Sequence, residues 1–276
     1  MLKLDSHLAR LVLVFLAVAG LLTNVSPAAA EVMRIGGTGS ALGAITLLSS
    51  VYSKKHPDSK VRVLPSIGSS GAIKAISQGA LDIGLISREL KPEELRLGLQ
   101  VTSYARTPFV FAVRRGVPVS GITHDDLLKI LKGEILKWPN GERIRVVLRP
   151  SADADTIFVR NISPEMSVAI DNALAREGMI MALTNQEALD LLEKTPGSLG
   201  FSSLSQIESE NRSLKMLSYN GVSPSTKNLA TGAYPHSMKF SLITKPGVSP
   251  SVRQFIDFVL SKEGQNILKT IGNLPI

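Results

Sequence analysis

A strand, a turn of glycine and hydroxyl residues, and then a helix recur along the first third of the chain. That repetition limits the fold more than any other feature. Val32-Met33-Arg34-Ile35 reads as a strand and runs into Gly36-Gly37-Thr38-Gly39-Ser40. Leu42, Ile45, Leu48 and Tyr52 follow at helical spacing, and His56-Pro57-Asp58 ends that helix. Val61-Arg62-Val63-Leu64 is a second strand, followed by Ser66-Ile67-Gly68-Ser69-Ser70-Gly71 and a helix with Ile73, Ile76 and Ala80 on one face. Leu81 to Ile86 is a third strand, closed by Ser87-Arg88. Apolar strands alternating with amphipathic helices build βαβ units and a mostly parallel sheet, so the fold class is α/β.

The rest of the chain continues the pattern less regularly. Pro108 to Val113, Ile144 to Leu148, Ser198 to Phe201 and Phe240 to Thr244 read as strands. Thr123 caps a helix with Asp126 at its third position, and another helix is expected from around Thr156. Residues 186–194 form a helix stopped by Thr195-Pro196-Gly197, and Val252 to Ile271 reads as one long helix. The segment 218–236, rich in small and polar residues, reads as an irregular crossing.

Composition narrows the chemistry. With 276 residues the chain can fill one large domain or two lobes. The absence of cysteine excludes disulfides, thiol catalysis and Cys-based metal sites, and four histidines leave little room for a His-rich one. No cofactor and no metal are expected. A net charge of +8 suits an anionic partner. Nucleic acid is not the expected partner, because the lysines are scattered and no basic–aromatic cluster occurs. At the N-terminus Lys3 and Arg10 precede an uncharged apolar run, Leu11 to Leu22, and Ala28-Ala29-Ala30 offers a small-residue cleavage site. That order reads as a secretory signal peptide over residues 1–30. The run is far shorter than the roughly 20 residues a membrane span needs. The mature protein is therefore expected in the periplasm, diffusing freely since no cysteine is present for lipid attachment.

Three turns share one chemical character: Gly37-Thr38-Gly39-Ser40, Gly68-Ser69-Ser70-Gly71 and Ile86-Ser87-Arg88. Backbone N–H groups of a helix's first turn lack internal acceptors. Glycine lets a ligand approach the main chain, hydroxyls add donors, and the helix dipole favours negative charge. Taken singly, each turn is also an ordinary helix cap. Three of them at successive strand ends, where α/β sheets bind ligands, point to one oxyanion site. No Gly-Lys-Ser/Thr follows the first turn, so it is not a Walker loop, and its glycines are spaced one residue too widely for the dinucleotide fingerprint.

Arg88 and Arg149 each follow a strand and are candidates for direct charge contact, with the planar fork of donors that suits an oxyanion. A solvated surface arginine is the alternative for each. Asp153 and Asp155 do not continue into a calcium loop. They read either as a loop or helix cap, or as candidate proton acceptors. A carboxylate accepts a hydrogen bond from P–OH but meets no donor on a fully deprotonated anion, so an aspartate in the site would favour phosphate over sulfate.

Taken together, these residues resemble the periplasmic phosphate-binding components of bacterial ABC transporters, in the type II periplasmic binding protein superfamily. The resemblance is carried by Gly37-Thr38-Gly39-Ser40, Gly68-Ser69-Ser70-Gly71-Ala72-Ile73-Lys74, Leu81-Asp82-Ile83-Gly84-Leu85-Ile86-Ser87-Arg88 and Thr195-Pro196-Gly197-Ser198-Leu199-Gly200-Phe201. Tyr234-Pro235 and the C-terminal helix also fit. It implies two α/β lobes with a ligand cleft between them: lobe 1 from residues 31–108 and 237–276, lobe 2 from residues 109–236. It implies anion contacts from the amides of Ser40, Ala41 and Leu42, from Ser69, Ser70 and Gly71, and from Ser87 and Arg88. In the second lobe it implies Arg149 and Thr156. Family members carry Arg followed by Ser-Gly-Thr there, whereas Ala154-Asp155 precedes Thr156 in this chain and adds a carboxylate. Some members also place an aspartate in the turn after the third strand.

The expected function is capture of an oxyanion, phosphate before others, and delivery to an inner-membrane ABC permease, by a monomer that does no chemistry. Two rivals stay open. One is a binding module that has lost the anion site and acts in signalling or adhesion. The other is an exported hydrolase with Ser69 or Ser40 as nucleophile and His56, His124 or His236 as base, although no Gly-x-Ser-x-Gly elbow is present.

Overall fold

The computed structural model describes residues 32–276, so the expected signal peptide lies outside the described residues. Strand β1 (Val32–Gly37) enters helix α1 (Gly39–Lys55), β2 (Lys60–Val63) enters α2 (Gly68–Ser77), and β3 (Ile83–Ile86) precedes the short α3 (Pro92–Leu95). The long β4 (Gln100–Arg114) is followed by β5 (Gly121–Ile122), α4 (His124–Lys132) and β6 (Arg145–Leu148). Then come α5 (Ala154–Arg160), α6 (Pro164–Ala175), β7 (Ile180–Met181), α7 (Asn185–Lys194), β8 (Ser198–Ser203) and α8 (Leu204–Ser209). Strands β9 (Leu214–Met216) and β10 (Ser218–Tyr219) and helix α9 (Thr226–Ala230) complete the middle of the chain. Strand β11 (Ser237–Thr244), helices α10 (Pro250–Leu260) and α11 (Lys262–Lys269) and strand β12 (Leu274–Pro275) close it.

The main sheet runs β2-β1-β3-β11-β4-β8-β6-β7. On one side β1 pairs in parallel with β2 and β3, and β11 returns antiparallel to β3. On the other, β6 pairs in parallel with β8 and β7. The protein thus has a two-lobe α/β fold, and β4 links the two halves of its sheet. Residues Gln100 to Pro108 of β4 pair with β11, and Phe109 to Val113 pair with β8. This places the carboxyl ends of β1, β3 and β6 along one crevice.

Aromatic packing holds the crossing in place. Phe109 stacks on Phe158 at 4.1 Å between ring centres, and Tyr234 donates from its hydroxyl to the Phe109 carbonyl at 2.7 Å. The His236 carbonyl accepts the Phe109 N–H at 3.0 Å, so the two chain crossings are hydrogen-bonded to each other. The His236 ring packs against Phe111, Phe158, Tyr219 and Tyr234. Burial, reinforced by the charge of His124, pulls its imidazole down to about 4.

Several sequence-based expectations need correction. The single C-terminal helix is two, because Ser261 leaves the helical conformation and recaps the chain: its Oγ donates to Phe258 O and accepts from Gly264 N. The 218–236 crossing contains β10 and α9. Helix α5 starts at Ala154 rather than Thr156, since Asp153 is its N-cap and accepts the Asp155 N–H at 3.0 Å. Thr123 caps α4 as expected, accepting from Asp126 N at 3.0 Å.

Candidate functional site

The three glycine–hydroxyl turns converge. Thr38 Oγ1 lies 3.0 Å from Ser87 Oγ, and the Ser87 N–H donates to Ser69 Oγ at 3.1 Å. Gly37 makes this possible: its φ is +149°, and a Cβ there would sit 2.2 Å from the Leu85 carbonyl oxygen. The Thr38 N–H donates to that same oxygen at 2.9 Å, which ties the end of β1 to β3. Thr38, Ser40, Ser69 and Ser87 are all buried. First-turn amides of a helix commonly lack intrahelical acceptors; in α1 that of Ala41 donates to the cap carbonyl of Thr38.

The opposite wall comes from the segment after β6. Arg149 is only 3% exposed. Its Nη1 donates to the Ala182 carbonyl at 2.9 Å and its Nη2 to Asp153 Oδ2 at 2.6 Å. Its Nε has no partner among the described residues. Asp155, also buried, accepts at Oδ2 from Asn185 Nδ2 at 2.9 Å, while its Oδ1 has no partner among the described residues. Burial, and then the charge of Asp153, push the Asp155 carboxyl well above the usual carboxylate range, against the pull of Arg149. A buried donor or acceptor left unpaired costs about 1–3 kcal/mol, more when it is charged. Arg149 Nε is thus an unpaired donor and Asp155 Oδ1 an unpaired acceptor in the same segment after β6, a complement to a ligand that carries both acceptor oxygens and an O–H.

Between the walls lies a cavity of about 260 Å³, with Ser66 to Ser70 on one side and Arg149, Asp153, Ala154 and Leu183 on the other. Among the described residues, no group of three His, Asp or Glu side chains is placed to hold a metal ion.

The expected residues divide into those that reach the crevice and those used elsewhere. Ser69 and Arg149 line the cavity, Ser87 is hydrogen-bonded to Ser69, and Ser40 is linked through Asn185 to Asp155. Arg88 is a correction: its guanidinium is clamped by both oxygens of Glu94 at 2.7 Å and by Ser70 Oγ at 2.8 Å, so its charge is spent inside its own wall. The hydrogen bonds from Arg88 hold the Glu94 carboxyl below its ordinary value. Ala41 is another, because its N–H already donates to Thr38 O at 3.2 Å. Leu42, expected to contribute its amide, also lines a separate outer groove. Thr156 is buried with its hydroxyl donated to the Arg149 carbonyl at 2.9 Å, where it braces the arginine. Gly71 sits in α2, where a Cβ would come within 3.0 Å of Ile67 Cβ. Asp153 acts as helix cap and partner of Arg149.

Asn185 escaped the sequence reading. Its Nδ2 donates to Ser40 Oγ at 3.0 Å and to Asp155 Oδ2, and so joins the two walls. The only sequence signal was an asparagine after the capping residue Thr184. The imidazoles offered as bases are engaged elsewhere: His56 stacks on Tyr52, His124 Nδ1 lies 2.7 Å from the Tyr219 hydroxyl, and His236 is enclosed by aromatic rings. Ser69 Oγ is occupied by the Ser87 amide and Ser40 Oγ by Asn185.

Comparison with known proteins gives a consistent picture. Residues 24–263 match the model of the PBP superfamily domain. The chain is 26% identical over 274 residues to the phosphate-binding protein PstS of Borreliella burgdorferi, covering 96% of this chain and 98% of that protein. It is 26% identical over 255 residues to PstS of Bacillus subtilis, covering 88% and 80%. Among solved structures, a phosphate ABC transporter substrate-binding protein from Clostridium perfringens, described with bound phosphate, superposes with a TM-score of 0.77 at 23% identity. That match covers 89% of this chain and all of the other.

Proposed function

Because this chain belongs to the PBP superfamily, we propose that it is a solute-binding protein that takes phosphate into the crevice and passes it to an ABC permease. The observation that carries this reading is the unpaired couple of Arg149 Nε and Asp155 Oδ1, both buried. Phosphate protonated on one oxygen satisfies both at once. Its ionised oxygens accept from Arg149 and from first-turn amides other than that of Ala41, and its P–OH donates to Asp155 when that carboxyl is ionised. The relatives named above as phosphate-binding support the same ligand.

No bond needs to be made or broken. The site replaces the ion's water with fixed donors, and closure of two lobes over it completes the shell. Micromolar affinity requires about 8 kcal/mol net. Hydrogen bonds to a charged group contribute roughly 1.5–3 kcal/mol each, so half a dozen donors suffice after ordering costs. In this reading lobe 1 comprises residues 31–108 and 237–276 and lobe 2 residues 109–236, residues 1–30 direct export, and the protein works as a monomer in the periplasm. A binding module that had lost its anion site would have no reason to keep a buried guanidinium and carboxylate with unpaired atoms.

Isothermal titration with phosphate, sulfate, molybdate and tungstate tests the proposal. Saturable heat is expected with phosphate and a weaker response with sulfate. Absence of heat with all four ions overturns it.

A further inference from the structure

The two walls also meet outside the crevice. There α1 lies against the start of α7 and the end of α8. Gly39 and Gly43 stand one turn apart on the same face of α1. A Cβ on Gly39 would be 2.7 Å from Asn185 Cβ, and one on Gly43 would be 2.2 Å from Ser209 Oγ and 3.0 Å from Ser209 Cβ. Neither glycine has a positive φ, so neither is required by its own backbone angle. Glycine inside a helix costs about 1 kcal/mol relative to alanine, and only close approach repays it here.

Gln186 fastens the contact. Its Nε2 donates to the Gly39 carbonyl at 3.1 Å and to Glu210 Oε1 at 2.8 Å. Glu210 is itself held by Gln206 Nε2 at 3.1 Å and by the Arg212 guanidinium, which approaches Oε2 at 2.8 Å and 2.9 Å. Its carboxylate therefore keeps the amide nitrogen of Gln186 turned towards both acceptors. The contact borders an open groove of about 940 Å³ lined by Leu42, Gly43, Gln186 and Glu210, so water has access when the surfaces part. Ser40 lies between the two glycines in the chain, and Asn185 ties it to Asp155. Separation of α1 from α7 must therefore pull apart the two walls of the anion site.

We propose that Gln186, braced by Glu210, and the Gly39–Gly43 face of α1 form a latch that sets how firmly the protein closes on its anion, without touching the ion. The inference rests on the phosphate-binding reading. When only a fraction of molecules is closed, the apparent dissociation constant rises in inverse proportion to that fraction. Gly43→Val drives a branched side chain into Ser209 and opens the contact. Gln186→Ala removes the fastening, and Gln186→Glu sets a carboxylate against two acceptors.

The test is stopped-flow and calorimetric phosphate binding to the full mature chain, with small-angle X-ray scattering of the unliganded protein. Gly43→Val is expected to weaken phosphate binding at least tenfold through faster dissociation, at unchanged stoichiometry, and to enlarge the radius of gyration. Gln186→Ala and Gln186→Glu should do the same in smaller measure, the glutamate more than the alanine. A variant that merely folds poorly would lower the stoichiometry and leave the dissociation rate alone, which counts against the latch. Unchanged affinity and unchanged scattering in folded Gly43→Val and Gln186→Ala overturn it. Failure of the unmodified protein to bind phosphate overturns the parent reading instead, and scattering alone then decides whether the contact is a latch.

Discussion

In the wall built from α2 and the turn after β3, charge is cancelled locally: Arg88 gives its fork to both oxygens of Glu94. What that wall presents to the crevice is neutral, a chain of hydroxyls and amides from Thr38 through Ser87 to Ser69. The wall built from the end of β6 and the start of α5 is the reverse. It buries one arginine and one aspartate beside the half-buried Asp153, and Arg149 and Asp155 each keep an atom unpaired among the described residues. The neutral wall can fold and stay satisfied without a ligand. The charged wall is complete only when something with both donor and acceptor oxygens enters. Selectivity should therefore reside in the second wall, and shape and dipole in the first.

Arg149→Ala should have the largest effect. It strands Asp153 and Asp155 without a cation, and breaking a buried pair costs about 3–5 kcal/mol. Phosphate binding should disappear from calorimetry, and the melting temperature should fall. Retained micromolar binding would shift the anion contact away from the charged wall.

Asp155→Asn comes next and acts on selectivity. Replacing the charged acceptor for P–OH by a weaker neutral carbonyl, a difference of about 1–2 kcal/mol, should narrow the preference for phosphate over sulfate by roughly tenfold. It should also change the pH dependence of unliganded stability. The carboxyl is raised in the folded state, so its contribution is fully present below the ordinary aspartate value and is lost as pH rises through the raised one. The Asn variant should lack that decline in thermal melts between mildly acidic and alkaline pH. An identical decline in the variant assigns it to another group.

Ser69→Ala sharpens the picture of the neutral wall. It leaves the buried Ser87 N–H unpaired, which should cost about 1–3 kcal/mol of stability and a smaller share of affinity. Arg88→Ala separates the walls most cleanly: stability should drop by a similar about 1–3 kcal/mol through loss of the Glu94 pair, with phosphate affinity changed less than about threefold. A hundredfold loss of affinity would restore Arg88 as a ligand contact.

The smallest effect concerns the crossing. His236 is held neutral in the fold by burial, with its value near 4. The unfolded chain takes up that proton nearer pH 6.5, so stability should fall as pH drops through that interval. His236→Phe should flatten this acid limb in thermal melts, with little change in phosphate binding at neutral pH.

The alternation of strands, turns and helices was readable because it is local: each strand ends in glycine and hydroxyl residues with a helical face directly after. The meeting of Thr38, Ser69 and Ser87 could be expected from their places at neighbouring strand ends. The use made of Arg88 could not, since Glu94 belongs to a one-turn helix with no periodicity to announce it. Asn185 and Gln186 were hidden for the same kind of reason. Their partners Ser40 and Gly39 are about 145 residues away in sequence and meet them only when the lobes come together. The break at Ser261 was masked by apolar residues that continue at helical spacing on either side, although Ser261 with Gly264 is a legible cap in retrospect. The first half of β4 owes its strand conformation to β11 and β12 rather than to its own pattern.

A crystal structure of the mature protein grown with phosphate examines the central claim most directly. Electron density for one tetrahedral ion is expected between α2 and α5, with an ionised oxygen within hydrogen-bonding distance of Arg149 Nε and a protonated one facing Asp155 Oδ1. An ion seated elsewhere, with those two atoms still unpaired or paired with each other, would contradict it.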